Sequence, residues 1–173
     1  MTGEEGAPTV AATPSPRFRD MHRRILLLTG LVLVFAFCAL RLRSSNQMPD
    51  DAWISLRYAE HLAHGEGLRF NPGGERVEGF SSPLHVLLLA CGLILGAPGP
   101  VLLQALPLLA GAALVGLFFV MARRALGTAA ALTLGLALAL NPSLSTWARG
   151  GLETTLFALL VLAALEATVR RPW

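Results

Sequence analysis

The chain has 173 residues, of which 54% are hydrophobic and only 14% charged, against about 25% charged in an ordinary soluble domain. Mean hydropathy is +0.58 and the apolar residues fall in long runs, which excludes the disordered, collagen-like and disulfide-scaffold classes and points to a bilayer. The net charge of +3 rests on 14 basic residues, all Arg. They flank apolar runs instead of forming one basic face, so no nucleic-acid partner is expected.

Residues 1–20 are rich in Pro, Ala, Thr and Gly without apolar periodicity and read as a disordered cytoplasmic tail. Residues 25–40 form an apolar run of 16 residues behind His22-Arg23-Arg24. Arg41 and Arg43 follow at once with no convincing small-x-small cleavage site, so a retained signal anchor is expected. Arg17, Arg19, Arg23 and Arg24 before the run outnumber the two Arg after it, which places the N-terminus in the cytoplasm.

Residues 41–82 are the one long polar stretch, with five Arg and six acidic residues, and are expected to lie outside the cytoplasm. Within them residues 51–64 repeat apolar side chains every three to four positions (Trp53, Leu56, Ala59, and Leu62 or Ala63), the pattern of an amphipathic helix lying on a membrane surface. Asp50 or Asp51 can cap it. Asn71-Pro72-Gly73-Gly74 is a strong turn signal, and its flanks are too short for more than a brief hairpin. Four further apolar runs follow at 84–97, 100–122, 125–140 and 152–169, broken at Pro98-Gly99, at Arg123-Arg124 and at the loop 141–151. As helices they would reach about 21, 34, 24 and 27 Å, against a hydrocarbon core of about 30 Å. The fold class expected is an all-α polytopic membrane protein with four to five transmembrane or re-entrant helices. The run 84–97 is short or re-entrant; in that case the Arg pairs 123–124 and 170–171 fall in the cytoplasm, and 41–82 and 141–151 share one membrane face.

Asp50-Asp51 stands at the water–membrane boundary. Helix capping explains the pair; so does general-base chemistry, since repulsion between adjacent carboxylates makes one a good proton acceptor. Glu153 enters an apolar run at its second residue, where an ionisable group is costly and often functional, although a helix N-terminus also favours a carboxylate. Glu166 with Arg170 at i+4 reads as a plain ion pair. His61 and His64 could hold a metal with Asp51, but exposed helix histidines are commoner, and no metal site or cofactor is expected; whether a divalent cation assists stays open. Cys38 and Cys91 lie in apolar runs and read as small hydrophobes. Gly92 and Gly96 have the spacing of a helix-packing contact.

The stretch from Met48 through Asp50-Asp51-Ala-Trp-Ile-Ser-Leu-Arg-Tyr to Glu78-Gly-Phe-Ser-Ser-Pro-Leu resembles the first extracytoplasmic loop of the GT-C glycosyltransferases, in the bacterial branch that includes arabinofuranosyltransferases and mannosyltransferases. Asn141-Pro-Ser-Leu-Ser-Thr-Trp-Ala-Arg-Gly-Gly-Leu-Glu resembles a second block of that family, and together the likeness covers about residues 20–170. It implies an enzyme of the bacterial plasma membrane that moves a sugar from a polyprenyl-phosphate donor to a glycan or lipid hydroxyl outside the cytoplasm. It also implies Asp51 as base with Asp50 beside it, and Glu153 shaping the sugar pocket or orienting the base. Arg57, Arg76 and Arg149 would meet the donor phosphate, for which a planar guanidinium is suited; Glu78, Ser81 and Ser82 would line the substrate mouth. Two departures are visible. His85 stands where an aromatic residue, often Trp, is expected, and the family runs on for several hundred residues. The expectation is therefore the N-terminal part of such an enzyme, inactive alone; the alternative is a truncated, non-catalytic membrane protein that uses the loop as a binding surface.

Overall fold

The computed structural model describes residues 29, 30, 32, 33, 37, 48–75 and 77–170. The tail 1–20, Arg76, Cys38 and most of the run 25–40 lie outside the described residues. Among the described residues from 48 onward six helices follow in order: α1 (Asp50–Ala63), α2 (Pro83–Ile94), α3 (Gly99–Leu126), α4 (Thr128–Ala139), α5 (Pro142–Trp147) and α6 (Thr154–Val169). Among the described residues there is no strand, and the Asn71 turn closes through Gly74 N–H to Asn71 O at 3.2 Å without a ladder.

α3 is the hub, with α2, α4 and α6 packed around it and α1 laid across α2. At 28 residues it is the one described helix long and apolar enough to cross a membrane. At ~1.5 Å per residue it reaches about 42 Å. The helices α2, α4 and α6, with 12, 12 and 16 residues, are shorter apolar segments. Arg123-Arg124, expected as a break, is not one. Arg is a good helix former and its charge is favoured at a C-terminal turn, so α3 runs on to Leu126 and ends at Gly127, whose φ of 85° suits a residue without Cβ. The expected runs 100–122 and 125–140 accordingly become 99–126 and 128–139. Arg124 and Arg170 both donate to Glu166 Oε1, at 2.5 and 2.6 Å, so the Glu166–Arg170 pair gains a third member from α3 and ties the ends of α3 and α6 together.

Two apolar clusters hold the helices. In one, Leu33 and Phe37 pack with Val115, Phe119, Ala131 and Ala139. In the other, Ala52, Leu56, Tyr58 and Ala59 of α1 meet Val86 and Leu89 of α2 and Leu103 of α3. Small residues set the spacing: a Cβ on Gly92 would fall 2.5 Å from Leu102 Cδ2. Gly96, its expected packing partner, faces open space instead.

Candidate functional site

α1 starts at Asp50 because Pro49 sets an extended entry (φ −65°, ψ 154°) and takes the N-cap position. Asp50 and Asp51 therefore sit in the first turn and make no capping bond, a correction to the expected cap; their charge still complements the free N–H groups there. Both are exposed. Helical spacing sends them to different sides. Asp51 shares its stripe with Ser55 and Tyr58, at i+4 and i+7, whereas Asp50 shares one with Ile54 and Arg57.

The Asp51 stripe faces the loop that leads into α2. Tyr58 donates its hydroxyl to Val77 O at 2.6 Å and meets the Phe80 ring edge-on at 4.9 Å, which fixes residues 77–80 against α1. Gly79 permits the approach, since a Cβ there would lie 2.9 Å from the Tyr58 hydroxyl. Ser82 then caps α2, with Pro83 behind it in the first helical turn. That leaves Ser81 at the mouth, donating to Glu153 Oε1 at 2.6 Å across 72 residues of sequence. A hydroxyl on a carboxylate at that length is a strong, charge-assisted bond.

His85 lies one turn into α2, 1% exposed, with Nε2–H directed at Gly151 O at 3.2 Å. A carbonyl partner fixes the tautomer: Nε2 carries the proton, and Nδ1 is a buried acceptor with no partner among the described residues. Burial lowers the imidazole pKa from its ordinary value; the Gly151 carbonyl and the Glu153 charge oppose this more weakly. The position where the family resemblance led one to expect an aromatic ring is thus filled by a buried polar strut. Gly151 is gripped from the other side as well. Its φ is +72°, and a Cβ on it would lie 2.8 Å from the Ala52 Cβ, beside Asp51. Three separate contacts, Ala52–Gly151, His85–Gly151 and Ser81–Glu153, therefore join the two polar blocks at one place.

Of the residues singled out from sequence, Ser81, Ser82 and Glu153 gather here, with the exposed Asp51 next in sequence to Ala52, and Arg149 stands half-buried two residues before Gly151. Glu78 is exposed on the approach. Asp50 turns aside, as does Arg57, which donates Nε to Phe70 O at 2.8 Å and lies 5.0 Å over the Phe70 ring. His61 and His64 direct Nδ1 to Arg69 O and Glu60 O respectively, so the two rings do not converge with Asp51. Among the described residues no three His, Cys, Asp or Glu are placed to hold a metal. The residues missed in the sequence are His85 as a strut, Gly151 and Tyr58. A lone polar side chain inside an apolar run was the available signal for the first.

No family model matches the chain, and neither a curated protein nor a solved structure is detectably similar to it.

Proposed function

We propose that the chain carries the first catalytic loop of a polytopic bacterial plasma-membrane glycosyltransferase of the GT-C type, which moves a sugar from a polyprenyl-phosphate donor to a hydroxyl of an envelope glycan or lipid. The observation that carries the reading is the meeting of the two blocks that resemble that family. The Ser81–Glu153 bond and the Ala52–Gly151 contact support it, since Asp51 adjoins Ala52 and Glu153 follows Gly151 by two residues. The helix surfaces favour a bilayer: in α6 the one buried residue is Thr155, while Phe157 is 67% and Leu165 54% exposed. A helix that is polar inside and apolar outside inverts the soluble pattern.

In this reading the solvent-facing Asp51 takes the proton of the acceptor hydroxyl as that oxygen attacks the anomeric carbon and the lipid phosphate leaves. Glu153, tethered by Ser81, shapes the pocket beside it. Arg149 meets the phosphate, and the loop faces away from the cytoplasm. The test uses membranes that express the chain with whatever coding sequence its gene carries beyond residue 173, supplied with radiolabelled polyprenyl-phosphate sugar. Asp51→Asn should cut transfer at least 100-fold, the scale of a lost general base, with membrane insertion unchanged. Near-normal transfer by Asp51→Asn removes the base, and labelling of a Ser143→Cys variant solely from the cytoplasm removes the topology.

A further inference from the structure

On the other side of α1 from Asp51 lies a cavity of about 380 Å³, lined by Trp53, Ile54, Arg57, Glu60, Phe70 and Pro100 among others. Its volume falls in the range of small-molecule clefts, about 300–1,000 Å³. Trp53 is 46% exposed there, and helical spacing puts it on one stripe with Arg57 and Glu60, at i+4 and i+7. Arg57 is not a loose surface charge. Its Nε–H is committed to Phe70 O at 2.8 Å and its Cζ lies 5.0 Å from the centre of the Phe70 ring, so the guanidinium is held in place with its Nη donors left for a ligand.

Charge decides what that ligand is. Arg57 and Glu60 cancel within the cavity, and Asp50, on the same stripe as Arg57, adds a further negative charge to that face. A phosphate would face carboxylates as well as the guanidinium, which disfavours it. A neutral polyol meets no such penalty: its hydroxyls accept from Arg57 and donate to Glu60, and its C–H face covers the electron-rich indole. We propose that this cavity binds a neutral sugar ring, stacked on Trp53 and held between Arg57 and Glu60. The proposal deepens the transferase reading by giving a seat to a remote unit of the acceptor glycan, about 10 Å across α1 from Asp51, and rests on that reading only for the word acceptor, because binding is measured without transfer.

The experiment uses the full chain in detergent micelles with Trp147→Phe and Trp173→Phe, so that Trp53 alone fluoresces. Neutral methyl glycosides of hexoses and pentoses and their linear trisaccharides are titrated, alongside inorganic phosphate. At least one sugar should give a saturable change with a Kd on the order of millimolar, as expected for so small a ligand. Arg57→Ala should weaken it about fivefold or more, the effect of one charged hydrogen bond, with helical circular dichroism unchanged. Glu60→Gln combined with Asp50→Asn, which leaves Arg57 uncancelled on that face, should admit phosphate that the native chain does not bind. The proposal is overturned if no sugar in the panel gives a saturable signal, if phosphate displaces sugar from the native cavity, or if headgroup-brominated lipid quenches Trp53 and sugar does not relieve it. Sugar binding by an Asp51→Asn chain whose transfer is normal would refute the base and leave this site standing; transfer without any Trp53 signal would do the reverse.

Discussion

Gly151 is the point at which the candidate site is most easily broken without touching an ionisable group. In Gly151→Ala the new Cβ meets two costs. The left-handed φ of +72° costs an L-residue about 1–2 kcal/mol. The Cβ–Cβ approach of 2.8 Å to Ala52 is closer than van der Waals contact allows and has backbone behind it on both sides, and forcing a methyl into such a space costs about 1–3 kcal/mol. Loss of glycine entropy in the unfolded chain returns about 0.4–1 kcal/mol, which leaves a net destabilisation of about 1–5 kcal/mol. Two further glycines separate the terms. Gly65 has φ +80° with nothing within 4 Å, and Gly150 has no positive φ and its nearest neighbour, Thr146 O, at 3.4 Å. Denaturant unfolding in detergent, followed by helical circular dichroism, should rank the Ala variants Gly150 least, Gly65 next and Gly151 most destabilised. Ala52→Gly placed on Gly151→Ala should recover about 1 kcal/mol or more of coupling, as residues in contact do. Gly151→Ala no worse than Gly65→Ala, with no coupling to Ala52, would refute the contact and with it the junction of the two blocks.

Two further outcomes follow from buried polar groups near that junction. His85, in the first turns of α2 and outside the candidate span α3, has its pKa lowered by burial, so the unfolded chain binds the proton more tightly. Its contribution is complete above the unfolded value of about 6.5 and is lost as pH falls through the folded value; thermal melts at pH 8 and pH 5 should differ more for the native chain than for His85→Gln, and equal differences would refute the assignment. Thr155, 1% exposed, donates to Pro107 O at 2.8 Å; Thr155→Val, nearly isosteric, should cost about 1 kcal/mol in denaturant midpoint, and an unchanged midpoint would mean that the bond is not made.

Helix α1 was legible in the sequence because one apolar face against water gives a clear period, and α3 because it is long. Arg123-Arg124 marks no boundary, because charge alone does not stop a helix; backbone geometry at Gly127 decides where it ends. Glu153 stood out as an acid in an apolar run. Ser81 is marked only by the family resemblance, as part of the substrate mouth; its pairing with Glu153 is not legible, since a serine in a polar loop is ordinary and the two are 72 residues apart. Cross-chain pairing of this kind has no local period. His85 registered only as a missing aromatic; its buried Nε2–H needs an acceptor, and the acceptor is a backbone carbonyl that no side-chain pattern announces.

The placement of Glu153 depends on a register between two segments that are each one turn long. Pro107 lies inside α3 and has no N–H, so Leu103 O receives no bond from it. Gly151 comes closest at that same turn: a Cβ on it would lie 3.6 Å from both Leu103 O and Leu103 Cβ. Four residues later, Thr155 bonds Pro107 O, four residues after Leu103. Residues 151–155 thus run alongside 103–107, with Glu153 midway as the N-cap of α6. A slip of one residue would turn the start of α6 by about 100° about its axis and carry Glu153 away from Ser81. A proline that would ordinarily weaken a long apolar helix therefore supplies, through one freed carbonyl and one bonded carbonyl, the notch that aims the acid at the mouth beside Asp51.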